Sequence, residues 1–496
     1  MGRRRRRRQV RARGGSIASM HEREGSSCQQ DGDGDSQAGK TKIDLIPDLP
    51  EDIWHHIHSL MSLRDAARAA CLSRAFLRSR RCHPNLTLNR DVLRSKAHVL
   101  GRDFGHTIDR IIRNHSGVGV KILKLVLFRI AYDSLDSWLE VAVTPGIEEL
   151  TVRLCRFRKK YNFPCSLLSN GIGNSIRNLE LGLCTFRPTA ELGPLRSLTS
   201  LRLHHVRITG DELECFLSNS LALVQFDLSN CKEIICLKIP SVLQQFSSLT
   251  VFGCEYLREI ESKAPNLSSL QFGGNIKHSL GESLQMKNIR MGRSKAVRYA
   301  RVELPSIMPN LETLKICSYR EVVNTPSMPT KFLYLKHLNI SVASGGTVSP
   351  SYDFFSLVSF IDASPSLETL ILNVSPECMG SESVFGDSSH LRQMAGHRHC
   401  YLKSVKITGF SSAKSLVELT CHIVNIAVSL EWLTLDTVYG FRCSDENFRR
   451  CYPMGKSILE EAHRALAAIR KYIENNVPTT VKLTVAEPCS KCHAIG

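Results

Sequence analysis

Nowhere in its 496 residues does the chain carry an apolar run approaching the ~18 consecutive residues that a membrane-spanning helix needs. Its arginine-rich start lacks the apolar centre of a signal peptide. The expectation is a soluble protein of the nucleus and/or cytoplasm with no membrane partner. Catalytic signatures are missing too: no phosphate-cradling Walker-type glycine loop, no H-E-x-x-H helix and no nucleophile elbow. Scattered serines, histidines and aspartates in so long a chain do not make a triad. The reading is therefore of a non-enzyme, with no catalytic residue, no cofactor and no resident metal.

Cysteine is the residue type that tests this reading, with 18 copies. They are spread through the chain, many inside apolar phrases and without a secretory context, so buried thiols acting as small hydrophobes are expected. Cys489-Ser490-Lys491-Cys492-His493 has the letters of a haem attachment site. That chemistry belongs to an exported context that the chain lacks. A zinc site would need two more ligands, for which Cys443 and Cys451 have only availability to recommend them. A reduced thiol pair is the expectation.

The net charge of +18 is partly local. Arg3 to Arg8 with Arg11 and Arg13 supply eight positive charges, leaving about +10 on the rest. Residues 1–43 are also rich in Gly, Ser, Asp and Gln without periodicity, and read as a disordered basic tail. Such a tail serves as a nuclear import signal or a nonspecific polyanion contact. The plainer alternatives are a solvated tail without a role, or a start at Met20.

Residues 44–82 read as a short helical module. Asp48 and Glu51 form a capping-box-like pair, and Pro50 stands in the first turn, where a helix tolerates it. Leu49, Ile53, Ile57 and Leu60 recur at helical spacing. Ser62 and Asp65 repeat the capping signal before an alanine-rich second helix with Leu63, Ala66, Ala67 and Ala70. A third short piece, Leu72-Ser73-Arg74-Ala75-Phe76, precedes a run of arginines. So few residues cannot bury a good core alone, so part of this apolar surface is expected to face a partner.

These residues resemble an F-box, which docks a substrate receptor onto a Skp-family adaptor of a cullin ubiquitin ligase. The match rests on Leu49-Pro50, Ile57, Asp65-Ala66, Arg68 and Leu72-Ser73. Ser62 departs from the usual proline and Phe76 from the usual tryptophan, the latter keeping an aromatic anchor without the indole donor. The resemblance implies an adaptor-binding set of Leu49, Pro50, Ile53, Ile57, Leu60, Leu63, Ala66, Leu72, Ser73 and Phe76, and through the adaptor a cullin.

Residues 83–119 are expected to be a helical linker. From 120 to 438 a Leu-x-x-Leu-x-Leu-like phrase repeats, clearly at Leu198-x-x-Leu201-x-Leu203, Leu311-x-x-Leu314-x-Ile316 and Leu430-x-x-Leu433-x-Leu435. Weaker copies centre on Leu123, Leu150, Leu179, Phe252, Ile289 and Val405. The intervals between Leu179, Leu201 and Phe226 are 22 and 25 residues, within the range of leucine-rich repeats. Each phrase turns alternate residues of a short strand inward, and the outward alternates line a concave surface. Those alternates include Lys124, Arg153, Arg202, Arg290, Lys315 and Lys406, but also Glu149, Glu180, Asp227 and Asp436, with His204, Asn339, Asn373 and Trp432 between them. A face of mixed sign argues for a protein target and against nucleic acid. Arg153, Arg202, His204, Asp227, Lys315, Asn339 and Trp432 are the candidate target contacts. The stretch from Pro376 to Cys400 reads as a mobile polar insertion, despite His390, His397, His399 and Cys400.

Residues 439–496 read as a terminal cap. Ser457-x-x-Glu460 is a capping-box signal, Leu459, Ala462, Leu466, Ile469 and Ile473 share a helical face, and Val481-x-Leu483-x-Val485 alternates as a strand. This ending resembles that of plant proteins joining an F-box, leucine-rich repeats and an FBD-type tail. The expected fold is α/β: a three-helix F-box, an irregular leucine-rich-repeat solenoid and a helix-strand cap. The expected function is substrate recognition for an SCF-type ubiquitin ligase, with a non-ligase binding scaffold as the alternative. A nucleic-acid-associated role of the arginine tail is a third reading, opposed by the mixed repeat face.

Overall fold

The computed structural model describes residues 49–71, 81–93, 101–116, 119–128, 132–155, 161–169, 171–189, 192–280, 283–319, 321, 330–343, 352–375, 382–386, 390–393, 397–443 and 450–493. The chain divides into two compact units, Met1–Pro50 and Glu51–Gly496. Of the first, Leu49 and Pro50 are described, both outside regular structure. The second holds all the helices and strands of the described residues.

Leucine alternation builds the main sheet. Among the described residues fifteen strands lie side by side in chain order, all parallel, from Asn85–Leu88 (β1) to Lys482–Ala486. Leu179, Leu201 and Phe226 are register partners on neighbouring strands, as are Leu181, Leu203 and Leu228 two residues on. All six are buried. Each such side chain contributes about 1.5–3 kcal/mol on burial, and the rows they form run the length of the array. No unit could shield its own leucines; the next unit does so.

The return segments are irregular, which is why the repeat lengths vary. Some are helical, as in Gly210–Ser218, where Thr209 and Glu212 form a reciprocal capping box. Others carry short strands: Cys236–Ile239, Glu259–Ser262 and Lys277–Leu280 pair as a separate parallel sheet. Aromatic side chains fill the space behind the main sheet, with Phe186 edge-on to Phe216 at 5.2 Å between centroids and Phe332 stacked on Phe360 at 6.1 Å.

At the C-terminal end, helix Lys456–Tyr472 buries Ala462, Leu466 and Ile469, and Ile473 beyond it, as the apolar periodicity requires. The strand after it pairs in parallel with Trp432–Asp436 and completes the sheet. Helix and strand thus pack as a further repeat of the array. Among the described residues no helix is long and apolar enough to cross a membrane.

Local details depart from the sequence reading. The expected helical linker contains β1 as well as helix Gly101–Arg113, because Leu86 and Leu88 alternate into the same core rows as Leu123 and Leu125. In Ser248–Phe252 the inward residues are Leu249 and Val251, so Phe252 belongs to the open face; a one-residue slip exchanges the two sets. Ser457 does not cap its helix. The N-cap is Gly455, with no side-chain hydrogen bond, and Ser457 lies inside the first turn. Asp48 and the third F-box piece, with Leu72, Ser73 and Phe76, lie outside the described residues.

Candidate functional site

Helix Glu51–Leu60 (α1) has two apolar faces, and one of them is uncovered. Trp54 and His58 turn inward and are buried, His58 donating from Nδ1 to the Trp54 carbonyl at 3.1 Å. On the other side Ile53 is 42% exposed and Leu60 76%, with Ile57 half-buried between them. Their i, i+4, i+7 spacing makes one stripe. Ser62 then caps helix Leu63–Ala69 (α2), accepting from the Asp65 amide at 3.2 Å and donating to its carboxylate at 2.7 Å. A serine here offers by hydrogen bond what proline offers by its fixed φ.

Leu63 and Ala66, expected to touch the adaptor, are buried at 8% and 0% exposure. Leu63 joins the same core as Leu86, and both side chains face the interior of the module. The reason is chain connectivity: α2 packs directly on β1. Three polar contacts continue that junction. Asn85 donates from Nδ2 to the Ser59 carbonyl at 3.3 Å, His83 from Nε2 to the Met61 carbonyl at 3.3 Å, and His115 from Nε2 to the His83 carbonyl at 2.9 Å. Burial pushes His83 and His115 below the ordinary imidazole range, which favours these neutral donors. The uncovered stripe is therefore tied to the repeat array.

The open face of the sheet holds the candidate target contacts. Register places Arg202, Asp227, Lys315 and Asn339 in one central row, Arg153 and His204 in the row C-terminal to it, and Trp432 in the row N-terminal to it. All seven are exposed or half-exposed. Toward the first repeats the charges are already paired: Lys124 with Glu149 at 2.7 Å, Arg153 with Glu180 at 3.4 Å, and Arg202 with Asp227 at 3.2 Å and Glu180 at 4.0 Å. This lattice borders a recess of about 440 Å³. Toward the last repeats Trp432 is 48% exposed, with the Lys482 ammonium 4.8 Å from its ring centroid. Phe252, which the sequence reading turned inward, adds an aromatic to this face, with the Arg290 guanidinium 5.9 Å from its centroid.

The described parts of the Pro376–Cys400 insertion are pinned to the core. Val384 is buried, Ser383 and Ser412 are hydrogen-bonded at 3.0 Å, and buried His399 donates from Nε2 to the Ser364 carbonyl at 2.9 Å. His390 and His397 are exposed. Local spacing offered no signal of this anchoring, because every partner is distant in sequence.

The family model described as "At1g61320/AtMIF1, LRR domain" matches residues 111–490, and the F-box domain model matches residues 46–79. The chain is 22% identical to the Arabidopsis thaliana F-box/FBD/LRR-repeat protein At1g13570 over 411 residues, covering 79% of this chain and 91% of that protein. It is 26% identical to the F-box/LRR-repeat protein At5g02910 of the same plant over 212 residues, covering 42% of each. F-box protein At5g03100, also from that plant, is 22% identical over 195 residues, covering 39% of this chain and 58% of that protein.

Proposed function

The chain belongs to the At1g61320/AtMIF1 leucine-rich-repeat domain family and carries an F-box domain ahead of its repeats, and on that footing we propose that it is the substrate-recognition subunit of an SCF-type ubiquitin ligase. The single observation that carries the docking half is the uncovered Ile53, Ile57 and Leu60 stripe, backed by buried Trp54 and His58. An exposed stripe of large aliphatic side chains on a short helix costs solubility unless a partner covers it. A Skp-family adaptor, with a cullin behind it, is the partner the F-box implies.

The repeats would hold the target on the open sheet face, through Arg153, Arg202, His204, Asp227, Lys315, Asn339 and Trp432. Alternating signs and an exposed tryptophan suit a folded protein surface better than a polyanion. The chain itself would perform no covalent step. It would act by proximity, raising the effective concentration of target lysines near a charged ubiquitin-conjugating enzyme.

Pull-down of the purified chain with a Skp-family adaptor and cullin, beside an Ile57→Asp/Leu60→Asp variant, tests the reading. Capture of both by the wild type and of neither by the folded variant is the expected result. Adaptor without cullin would replace the ligase reading by a non-ligase scaffold. Failure of the folded wild type to bind either would overturn the docking assignment.

A further inference from the structure

The cysteines of the C-terminal segment are not a pair. Cys443 follows strand Trp432–Asp436, Cys451 precedes helix Lys456–Tyr472, and Cys489 and Cys492 follow the last strand. The four sulfur atoms lie within 4.8 Å of one another, and none is in a disulfide. We propose that Cys443, Cys451, Cys489 and Cys492 form a closed tetrathiolate zinc site that clasps the last unit of the solenoid.

Geometry favours a single metal ion. With Zn–S bonds of about 2.3 Å, the edge of a regular tetrahedron of sulfurs is about 3.8 Å. Cys443 Sγ and Cys489 Sγ are 3.7 Å apart. A disulfide needs about 2.05 Å, so these sulfurs stand at a ligand-to-ligand separation and not at a bonding one. Four soft donors select a thiophilic ion, and with all four positions supplied by protein none is left open for substrate. The site is therefore structural.

The surroundings are built in the way a metal site requires. The Cys443 amide donates to Cys451 Sγ at 3.3 Å, the amide-to-sulfur contact that offsets thiolate charge. The Cys489–Cys492 turn is closed by the Cys492 and His493 amides, which donate to the Cys489 carbonyl at 3.2 and 2.9 Å. His493 Nε2 donates to the Tyr452 carbonyl at 3.0 Å, and the Tyr452 amide to the Phe441 carbonyl at 2.8 Å. Arg442 reaches the Asp436 carboxylate and the Glu487 carbonyl, the latter at 2.9 Å. Each cysteine-bearing segment is thus already held against another.

Position supplies the purpose. Among the described residues, strand Lys482–Ala486 is the outermost of the sheet and pairs on one side with Trp432–Asp436, and an open edge invites pairing with other chains. The cluster ties the segment leaving the penultimate strand to the one leaving the last strand. Binding converts four thiols and one Zn²⁺ into a tetrathiolate complex and releases four protons, with no change of oxidation state.

Metal analysis of the full chain, purified without chelator, tests the assignment, together with thiol titration and Co²⁺ substitution. One zinc per chain is expected, with the intense visible bands and thiolate-to-metal charge transfer of tetrahedral tetrathiolate cobalt. Cys489→Ser/Cys492→Ser should lose the metal and lower Tm, while Cys400→Ser, outside the cluster, should keep it. If the double variant does not fold, the cobalt spectrum of the wild type still reads the ligands directly, and Cys492→His should retain metal with weaker charge transfer. All 18 thiols titrating in a metal-free chain would overturn the proposal. So would disulfides in the cluster, an octahedral cobalt spectrum, or stoichiometric iron in place of zinc.

Discussion

Arg392 holds the carboxylate of Glu418, whose side chain is fully buried in helix Lys414–Ile426, at 2.6 Å. The same guanidinium makes two hydrogen bonds to Asp353, at 2.8 and 2.9 Å, and lies 4.7 Å from the Phe355 ring centroid. One residue of the insertion thereby joins two repeats. Removing it leaves a carboxylate without its cation in the core. Arg392→Ala is expected to cost about 2–3 kcal/mol, below the ~3–5 of a wholly buried pair because the arginine is half-exposed. Urea unfolding of Arg392→Ala, Glu418→Leu and the double variant checks this. Strictly additive effects would show that the two side chains do not act as a pair.

Docking and stability should separate within the F-box module. Leu60→Asp changes a side chain that is 76% exposed and should shift stability by no more than about 0.5 kcal/mol while abolishing adaptor capture. Leu63→Ala opens a cavity behind α2 and should cost about 2–5 kcal/mol. Thermal melts beside pull-downs distinguish the two. A Leu60→Asp variant that binds the adaptor as tightly as wild type would remove α1 from the interface.

Acidification should loosen the repeats. His278 is held down to about 4 by burial and, secondarily, by the Arg293 charge; its ring meets Phe272 edge-on at 4.2 Å between centroids. A native imidazole harder to protonate than the unfolded one leaves full stability above about pH 6.5. That stability declines as pH falls toward 4, because the unfolded chain then binds more protons. The loss is on the order of 2–3 kcal/mol. His83 and His115 act in the same direction. Chemical unfolding at a series of pH values, for wild type and His278→Phe, should show a shallower acid limb in the variant. Identical limbs would assign the acid sensitivity elsewhere.

The paired charges of the open face should matter little to folding. Arg202 is half-exposed against Asp227 and Glu180, so Arg202→Ala is expected to change stability by less than about 1 kcal/mol, with the effect shrinking further in salt. Calorimetry at low and high salt measures it. A loss of several kcal/mol would mean that the lattice is a structural element and not an available surface.

Much of the fold was legible because its signals are local. Leu201 and Leu203 alternate within five residues, and Ala462, Leu466 and Ile469 recur every turn, so strand and helix could be read without knowing any neighbour. The seven candidate target residues fell on the open face for the same reason. Phe252 was misread where the leucine phrase weakens, since one residue of slip reverses a strand. Ser457 was misread because a serine three residues before a glutamate is equally compatible with the interior of a helical turn.

By itself, then, the sequence determined the repeat class, the F-box resemblance and the alternation that sorts side chains into core and face. These follow from the 2-residue and 3.6-residue periods of the backbone, which any short window contains. Only the tertiary structure decided that Leu63 and Ala66 turn inward, that Asn85–Leu88 opens the sheet, that Arg392 meets Glu418, and that Cys443 meets Cys489 across 46 positions. Such meetings depend on how many residues each return segment spends before the next strand. No local pattern records that sum; it is set when successive units stack.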